Sequence, residues 1–404
     1  MAAPKILAVA SSMDLRFRYG CTPAWWQLWK GLYEVGVDLI VTPYRGLPVA
    51  SPWWRTEENP CYREGELFAA WREATARLGG RDHPRRPESQ PEDTLADRGA
   101  RELVWRVITP RWRRHLERII ERESPDALLV FTVPMSHLRG IPTALHERFG
   151  IPLVYYDGDV PMSLPEYGGA DTGFNIYHGA DPGEYDLVVS NSEGGLPRLL
   201  ELGARRAEAL FWGVDPELFE PLPVPKERDV FFFGYGDKFR REGIEELIAE
   251  PSRRLPAVTF TVGGDGLGDT GRAGALGRVP FNVFRSTISA SRINVSITRR
   301  PHATVPYSST SRPFELAAAG AAIVSGPHAG IERWFEPGEE LLVVSTADEA
   351  VEAYTELLAD ASVADELGRR ARKRVIEEHT HVDRARRLLG LLGLAPIQAE
   401  AVRG

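Results

Sequence analysis

Short apolar runs alternate with amphipathic stretches along most of the chain. KILAVAS ends in small and polar residues, the pattern of a buried parallel strand that delivers a loop, SSMDLRFRYG, to a ligand-binding edge. TPAWWQLWKGLYEVG then reads as a helix. Pro23 stands at its start, large apolar side chains at Trp25, Trp26, Leu28, Trp29, Leu32 and Tyr33, and Gly36 at its stop. VDLIVTP completes a strand, helix, strand unit. Residues 44–97 are rich in Pro, Glu and Arg and weakly periodic, which predicts an irregular insertion with one short helix around Glu64–Arg77. A basic helical region up to Arg122 follows. PDALLVFTVP, IPLVYYDGD and YDLVVSNS then read as strands, GIPTALHERFG and GLPRLLELGA as helices, and AEALFWG holds a short last strand.

The second half restarts the alternation after the Pro- and charge-rich VDPELFEPLPVPKERD. DVFFFGYG, AVTFTVGGDG, RINVSIT, AAIVSG and ELLVVS read as strands, REGIEELIAE and PFELAAAG as helices, and three helices close the chain. Strands alternating with helices predict parallel sheets covered on both faces. The expected architecture is therefore α/β, with two Rossmann-like, doubly wound domains facing across a cleft. The predicted boundaries are 1–212 for the first domain, 213–228 for a linker, 229–380 for the second domain, and 381–404 for a terminal helix that returns to the first domain. In such sheets ligands bind beyond the carboxyl ends of the strands.

Composition narrows the class. With 404 residues, 43% of them hydrophobic and 26% charged, and no repeating Gly or Pro period, collagen, coiled coil and wholesale disorder drop out. No apolar run reaches the roughly 18–20 residues that span a bilayer, and the N-terminus turns polar too soon for a secretory signal, so a cytoplasmic protein is expected. Cys21 and Cys61 read as ordinary thiols. A net charge of −8 argues against nucleic acid as a partner. The exception is Arg98–Arg122, where eight Arg stand against three acids. That segment admits at most peripheral contact with an anionic membrane, against a solvated, locally paired helix face.

Three stretches could carry chemistry. Gly234, Gly236, Asp237, Lys238, Arg240 and Arg241 leave the first strand of the second half and enter a helix, where glycines, free N–H groups and cations suit a diphosphate. The spacing is neither GxGxxG nor a Walker loop, and a solvated helix start explains it equally. Gly263–Gly268 ends another strand and is also ordinary turn chemistry. In the third, a hydroxyl-rich loop with Ser309, Thr310 and Ser311 leads into an Ala-rich helix with Arg312, Pro313 and Glu315. Hydroxyls at a helix start favour an anion, and a carboxylate one turn in can accept from a vicinal diol. A carboxylate complementing the helix dipole is the plainer alternative.

INVSITR, SRPFELAAAGAAIVSG, GIERWFEPGEELLVV and RARKRVIEEHTHVDRARRLL together resemble the C-terminal domain of GT-B glycosyltransferases, specifically the CgeB-like (spore-maturation-protein-like) branch related to retaining glycosyltransferase family 4. WGVDPELFEP resembles the phrase that ends the N-terminal domain there. The resemblance spans roughly residues 185–395. It implies transfer of a sugar from a nucleotide diphosphate sugar, foremost a UDP-sugar, with no obligatory cofactor and no protein-bound metal. It further implies that Glu315 binds the ribose hydroxyls and that Lys238, Arg240 and Arg241 face the diphosphate. Gly234 and Gly236 would admit the donor, Ser309 to Arg312 would lie along phosphates and sugar, and Gly264 and Val279 would flank the base. One departure stands out. Retaining relatives usually carry a carboxylate eight positions before the ribose Glu, and here that position is Tyr307; the CgeB-like branch often lacks it too, with Arg three before the Glu, as Arg312 is here.

On the acceptor side, strand-end residues Asp14, His137 and Asp157 are the candidates for a general base should the reaction invert configuration. Arg16, Asp159, Trp53 and Trp54 are candidates for acceptor contact, whether the acceptor is a glycan, protein, lipid or small molecule. Trp25, Trp26 and Trp29 read as core at helical spacing. His379 and His381 lack a third ligand and read as structural. Two other outcomes compete, a nucleotide-sugar 2-epimerase of the same fold and a non-catalytic nucleotide-sugar or glycan binder.

Overall fold

The computed structural model describes residues 3–13, 24–67, 102, 104–167, 176–236 and 239–394. The chain divides into two compact units. Unit 1 takes Met1–Asp14, Leu32–Leu210 and Arg386–Gly404, and unit 2 takes Leu15–Gly31 and Phe211–Ala385. Each therefore borrows a segment from the far end of the sequence.

Unit 1 holds a seven-stranded parallel sheet of β1 (Lys5–Ala10), β2 (Asp38–Pro43), β3 (Arg55–Thr56), β4 (Ala127–Phe131), β5 (Leu153–Asp157), β6 (Leu187–Ser190) and β7 (Ala207–Ala209). Its order is β3-β2-β1-β4-β5-β6-β7, so the winding reverses between β1 and β4. β4, β5 and β6 are buried along their whole length and β1 and β2 at all but the first residue, as a sheet covered on both faces requires. Beside α1 (Ala24–Glu34), which the two units share, its helices are α2 (Thr109–Glu123), α3 (Ile141–Phe149) and α4 (Leu196–Glu201). Leu7, Trp112, Leu116, Val130, Tyr155 and Val188 form the middle of its core.

Unit 2 repeats the winding in six strands, β8 (Arg228–Phe233), β9 (Phe260–Gly263), β10 (Gly274–Ala275), β11 (Ser291–Ser296), β12 (Ala322–Ser325) and β13 (Leu342–Val343), in the order β10-β9-β8-β11-β12-β13. Its helices are α5 (Arg241–Ile244), α6 (Glu250–Arg254), α7 (Phe281–Ser289), α8 (Arg300–Thr304), α9 (Ser311–Ala318), α10 (Ala347–Ala359), α11 (Ala361–Glu378) and α12 (His381–Leu391), the last running on into unit 1. Glu245–Ala249 joins α5 to α6 in wide π turns, giving one continuous helical run. Val230, Phe232, Val295, Val324 and Tyr354 lie in its core.

Several elements depart from the expectation. The 44–97 stretch contains regular structure, since β3 pairs Arg55 with Ile40 and residues 62–67 are helical. The rest of the predicted Glu64–Arg77 helix lies outside the described residues. β10, α7 and α8 were not expected at all. In α7 the sequence FNVFRSTIS places Phe284, Thr287 and Ile288 on the buried face, a short stripe behind Pro280 with no capping side chain. No helix among the described residues is long and apolar enough to cross a membrane.

The Arg98–Arg122 segment is described only in part. Arg106 pairs with Glu102, Arg113 with Glu117, Arg111 with Glu64, and Arg122 with Glu57 and Glu123. Four of its arginines thus pair with nearby acids, while Arg114 and Arg118 donate to backbone carbonyls one turn back.

Candidate functional site

At the carboxyl ends of β8 and β9 two glycine-rich exits lie against each other. Gly234 N–H donates to the Gly263 carbonyl at 3.1 Å and Gly236 N–H to the Asp265 carbonyl at 3.1 Å. A Cβ on Gly264, whose φ is +116°, would sit 1.7 Å from the Gly234 carbonyl oxygen. One on Gly236 would sit 2.3 Å from the Gly266 carbonyl oxygen. The Cβ space at Gly236 and Gly264 is therefore taken by backbone, and a Cβ on Gly234 would meet the Phe232 ring at 2.8 Å, so these glycines permit the close approach of the two exits. Val279 is likewise buried, with its side chain against Gly263.

Arg240 ties two strand exits together. Its Nε donates to the Ile297 carbonyl at 3.0 Å and its Nη1 to the Tyr235 carbonyl at 2.6 Å. Arg241 is exposed at the first residue of α5. Asp237 and Lys238 lie outside the described residues.

The hydroxyl-rich loop is pinned from several sides. Ser309 is buried and its Oγ accepts from Trp212 N–H at 2.8 Å, while His328 Nε2 donates to the Ser308 carbonyl at 2.9 Å. Tyr307 adopts φ +55°, and its ring occupies the place a Gly330 side chain would need, 2.4 Å from the Cβ position. The guanidinium of Arg333 lies over that ring. Position 307 thus holds a tightly packed aromatic.

Thr310 precedes α9 without capping it through its side chain, and its buried Oγ1 makes no hydrogen bond among the described residues. One turn into the helix, Glu315 is only 2% exposed. Arg312 Nη1 donates to its Oε2 at 2.7 Å, and the same guanidinium stacks over Phe233 and Phe284 with its carbon 4.9 and 4.3 Å from the ring centroids. Burial pushes the Glu315 carboxyl above its ordinary pKa, while Arg312, the Ser311 hydroxyl and Gln27 draw it back down. Such a group can accept hydrogen bonds from a diol, and the helix start with its hydroxyls and cation suits an anion.

The first-half candidates separate. Asp157 is fully buried at the end of β5, where its carboxylate accepts from the Tyr177 hydroxyl at 2.6 Å, the Ser163 hydroxyl at 2.5 Å and Asp159 N–H at 3.0 Å. It sits there as an enclosed acceptor, and burial raises its pKa. His137 is half-buried beyond β4, with Nδ1 2.6 Å from the Tyr44 hydroxyl. Burial shifts the Tyr44 hydroxyl upward, so it stays protonated beside this ring. Trp54 is buried and Trp53 half-buried, and both precede Arg55, which pairs with Ile40. They lie toward the amino end of the sheet edge. Asp14 and Arg16 lie outside the described residues.

Sequence reasoning missed Gln27. It is fully buried on α1, and its Oε1 accepts from Asp215 N–H at 2.8 Å. Lys30, three residues on and also buried, contacts the Asp215 carboxylate at 2.7 Å and Glu217 at 2.9 Å. Two polar residues at i and i+3 on an otherwise apolar helix were the signal. His379 reads as structural, with Nε2 3.2 Å from the Trp334 carbonyl and the ring packed on Phe314. Among the described residues no group of three or more His, Cys, Asp or Glu stands together as a metal site would require.

Two parallel α/β sheets wound in the same order, one carrying this carboxylate helix, define a GT-B fold. Residues 240–390 match the sequence model of a family described as glycosyl transferase-like. Among solved structures, sucrose-phosphate synthase from Thermosynechococcus elongatus is similar with a TM-score of 0.65 at 15% identity, over 96% of this chain and 98% of that one. HepE of Anabaena in complex with UDP-glucose gives 0.58 at 14% identity, over 96% and 99%. The E. coli trehalose-6-phosphate protein bound with UDP-2-fluoro glucose gives 0.59 at 12% identity, over 96% and 98%. No curated protein matches the chain in sequence.

Proposed function

We propose that this chain is a glycosyltransferase of the CgeB-like branch, moving a sugar from a nucleotide diphosphate sugar to a hydroxyl-bearing acceptor with retention of configuration. The observation that carries the reading is the buried Glu315 carboxylate one turn into α9, inside the segment that matches the glycosyl transferase-like family. Its two oxygens accept from the ribose hydroxyls. The start of α9, with Ser311 and Arg312, and the cations Lys238, Arg240 and Arg241 serve the diphosphate. As the glycosidic bond breaks, negative charge develops on the departing nucleotide, and fixed cations and N–H groups stabilise it without reorganising.

UDP is the favoured nucleotide because two of the similar structures hold UDP-linked sugars. Retention needs no acceptor-side base, and this suits an Asp157 that is closed in by Ser163 and Tyr177. The test is calorimetric titration with UDP, GDP, ADP and dTDP, repeated on Glu315→Ala. Micromolar binding of UDP, weakened by about 1–3 kcal/mol in the variant, is expected for a lost charged hydrogen bond. If no nucleotide binds, or the variant binds as wild type does, the reading is wrong.

A further inference from the structure

We infer that the nucleotide ribose is read by a donor and acceptor pair, Gln27 with Glu315, so that a residue from the first helix of the chain completes the nucleoside site of unit 2. The inference rests on the ribose role proposed for Glu315 and adds the group that this role lacks. An ionised carboxylate only accepts hydrogen bonds, whereas each diol oxygen donates one proton and carries lone pairs of its own. In a buried site those lone pairs need a donor, or the ligand loses free energy on desolvation. Gln27 supplies one.

Its amide is fully buried, and Oε1 is committed to Asp215 N–H, so the orientation is fixed with Nε2 on the other side. Nε2 has no partner at hydrogen-bond distance among the described residues, and the amide faces Glu315 closely enough to help hold its carboxyl ionised. A buried N–H donor left unmatched is rare and costs stability unless something uses it. The orientation is enforced from behind. Buried Lys30 clamps the Asp215 carboxylate, Asp215 presents its N–H to Gln27, and Gln27 turns its amino group toward Glu315. Thr310, with its own buried hydroxyl unmatched, stands just ahead of the helix that carries Glu315.

The experiment is calorimetric titration of the full chain with UDP, 2′-deoxy-UDP and 3′-deoxy-UDP, for wild type, Gln27→Glu, Gln27→Ala and Glu315→Ala. Gln27→Glu keeps an acceptor for Asp215 N–H but removes the donor, and thermal unfolding of each variant checks that the fold survives. Wild type should prefer UDP to at least one deoxy analogue, and both Gln27 variants should lose about tenfold in UDP affinity together with that preference. A merely structural role would weaken all three ligands equally and leave the preference intact, and that result overturns the inference. If Glu315→Ala weakens UDP while both Gln27 variants bind and discriminate as wild type, Gln27 alone is misassigned. If Glu315→Ala changes nothing, the ribose site itself is misassigned and the Gln27 role falls with it.

Discussion

Arg312 and Glu315 form an ion pair of 2.7 Å across one turn of α9, and the same guanidinium is stacked on Phe233 and Phe284. The arginine therefore neutralises the carboxylate from a position that packing holds still. Its side chain is 22% exposed against 2% for the glutamate, so the carboxylate depends on the arginine far more than the reverse.

Replacing Arg312 with Met should destabilise unit 2 by about 3 kcal/mol, because a buried carboxylate loses its main partner. Arg312→Lys should recover little, since an ammonium cannot both stack on the two rings and reach Glu315. Adding Glu315→Gln to Arg312→Met should restore much of the loss. Urea unfolding of wild type, Arg312→Met, Arg312→Lys, Glu315→Gln and the double variant checks this, and strictly additive effects would show that the pair is not coupled.

Gly264 and Gly268 both have positive φ, yet their surroundings differ. A Cβ at Gly264 would fall 1.7 Å from a carbonyl oxygen, whereas at Gly268 nothing lies within 4 Å. Gly268→Ala should cost about 1 kcal/mol, the penalty of left-handed backbone for an L-residue. Gly264→Ala should cost several times that or prevent folding, because the exits of β8 and β9 must separate. Equal thermal midpoints for the two variants would contradict the close packing of these exits.

Among the described residues, five buried histidines have depressed pKa values. Burial brings His115 and His379 down to about 4 and His381 to about 3, and it also lowers His302 and His328. Between the unfolded value of about 6.5 and those folded values, the unfolded chain binds protons that the folded chain refuses, so stability falls as pH drops through that window. Four of the five lie in unit 2. The raised carboxyl of Glu315 acts in the opposite sense there, as those of Asp157 and Glu184 do in unit 1. Amide hydrogen exchange at pH 7.5 and 5.0 should therefore show β11 and β12 losing more protection than β4 and β5, after correction for intrinsic rates. Uniform loss would count against it.

Asp157→Asn should lower stability by about 1–3 kcal/mol, because a buried acceptor for two hydroxyls and an N–H group is replaced by one with half its capacity. If the residue is structural, the pH profile of sugar transfer by the folded variant will match that of wild type. A profile that loses an acidic limb would instead make Asp157 a proton-transfer group.

Most of the sheet was legible in the sequence, because runs such as ALLVF and LVYYD are apolar throughout and a strand buried on both faces cannot be otherwise. The helix stop at Gly36 was legible for a local reason too, its φ of +86°. What escaped was either very short or long-range. Two-residue strands such as Gly274–Ala275 carry no period, and α7 has a stripe too brief to stand out. Glu315 could be picked out from its place in a motif, but Gln27 could not. Its partner Asp215 lies 188 positions away, and three tryptophans around it made the helix read as plain core.

The interleaving of the two units bears on how the chain is made. Gly31 must be glycine because a Cβ there would meet the His381 carbonyl oxygen at 2.5 Å, and Gly213 likewise gives way to the His379 carbonyl oxygen. Residues near positions 31, 213 and 380 therefore close on one another. A ribosome adding roughly 5–20 residues per second emits the last of them some tens of seconds after the first. Throughout that interval the tryptophan-rich α1 has emerged without its native contacts in unit 2, so its protection during synthesis falls to whatever else the cell provides.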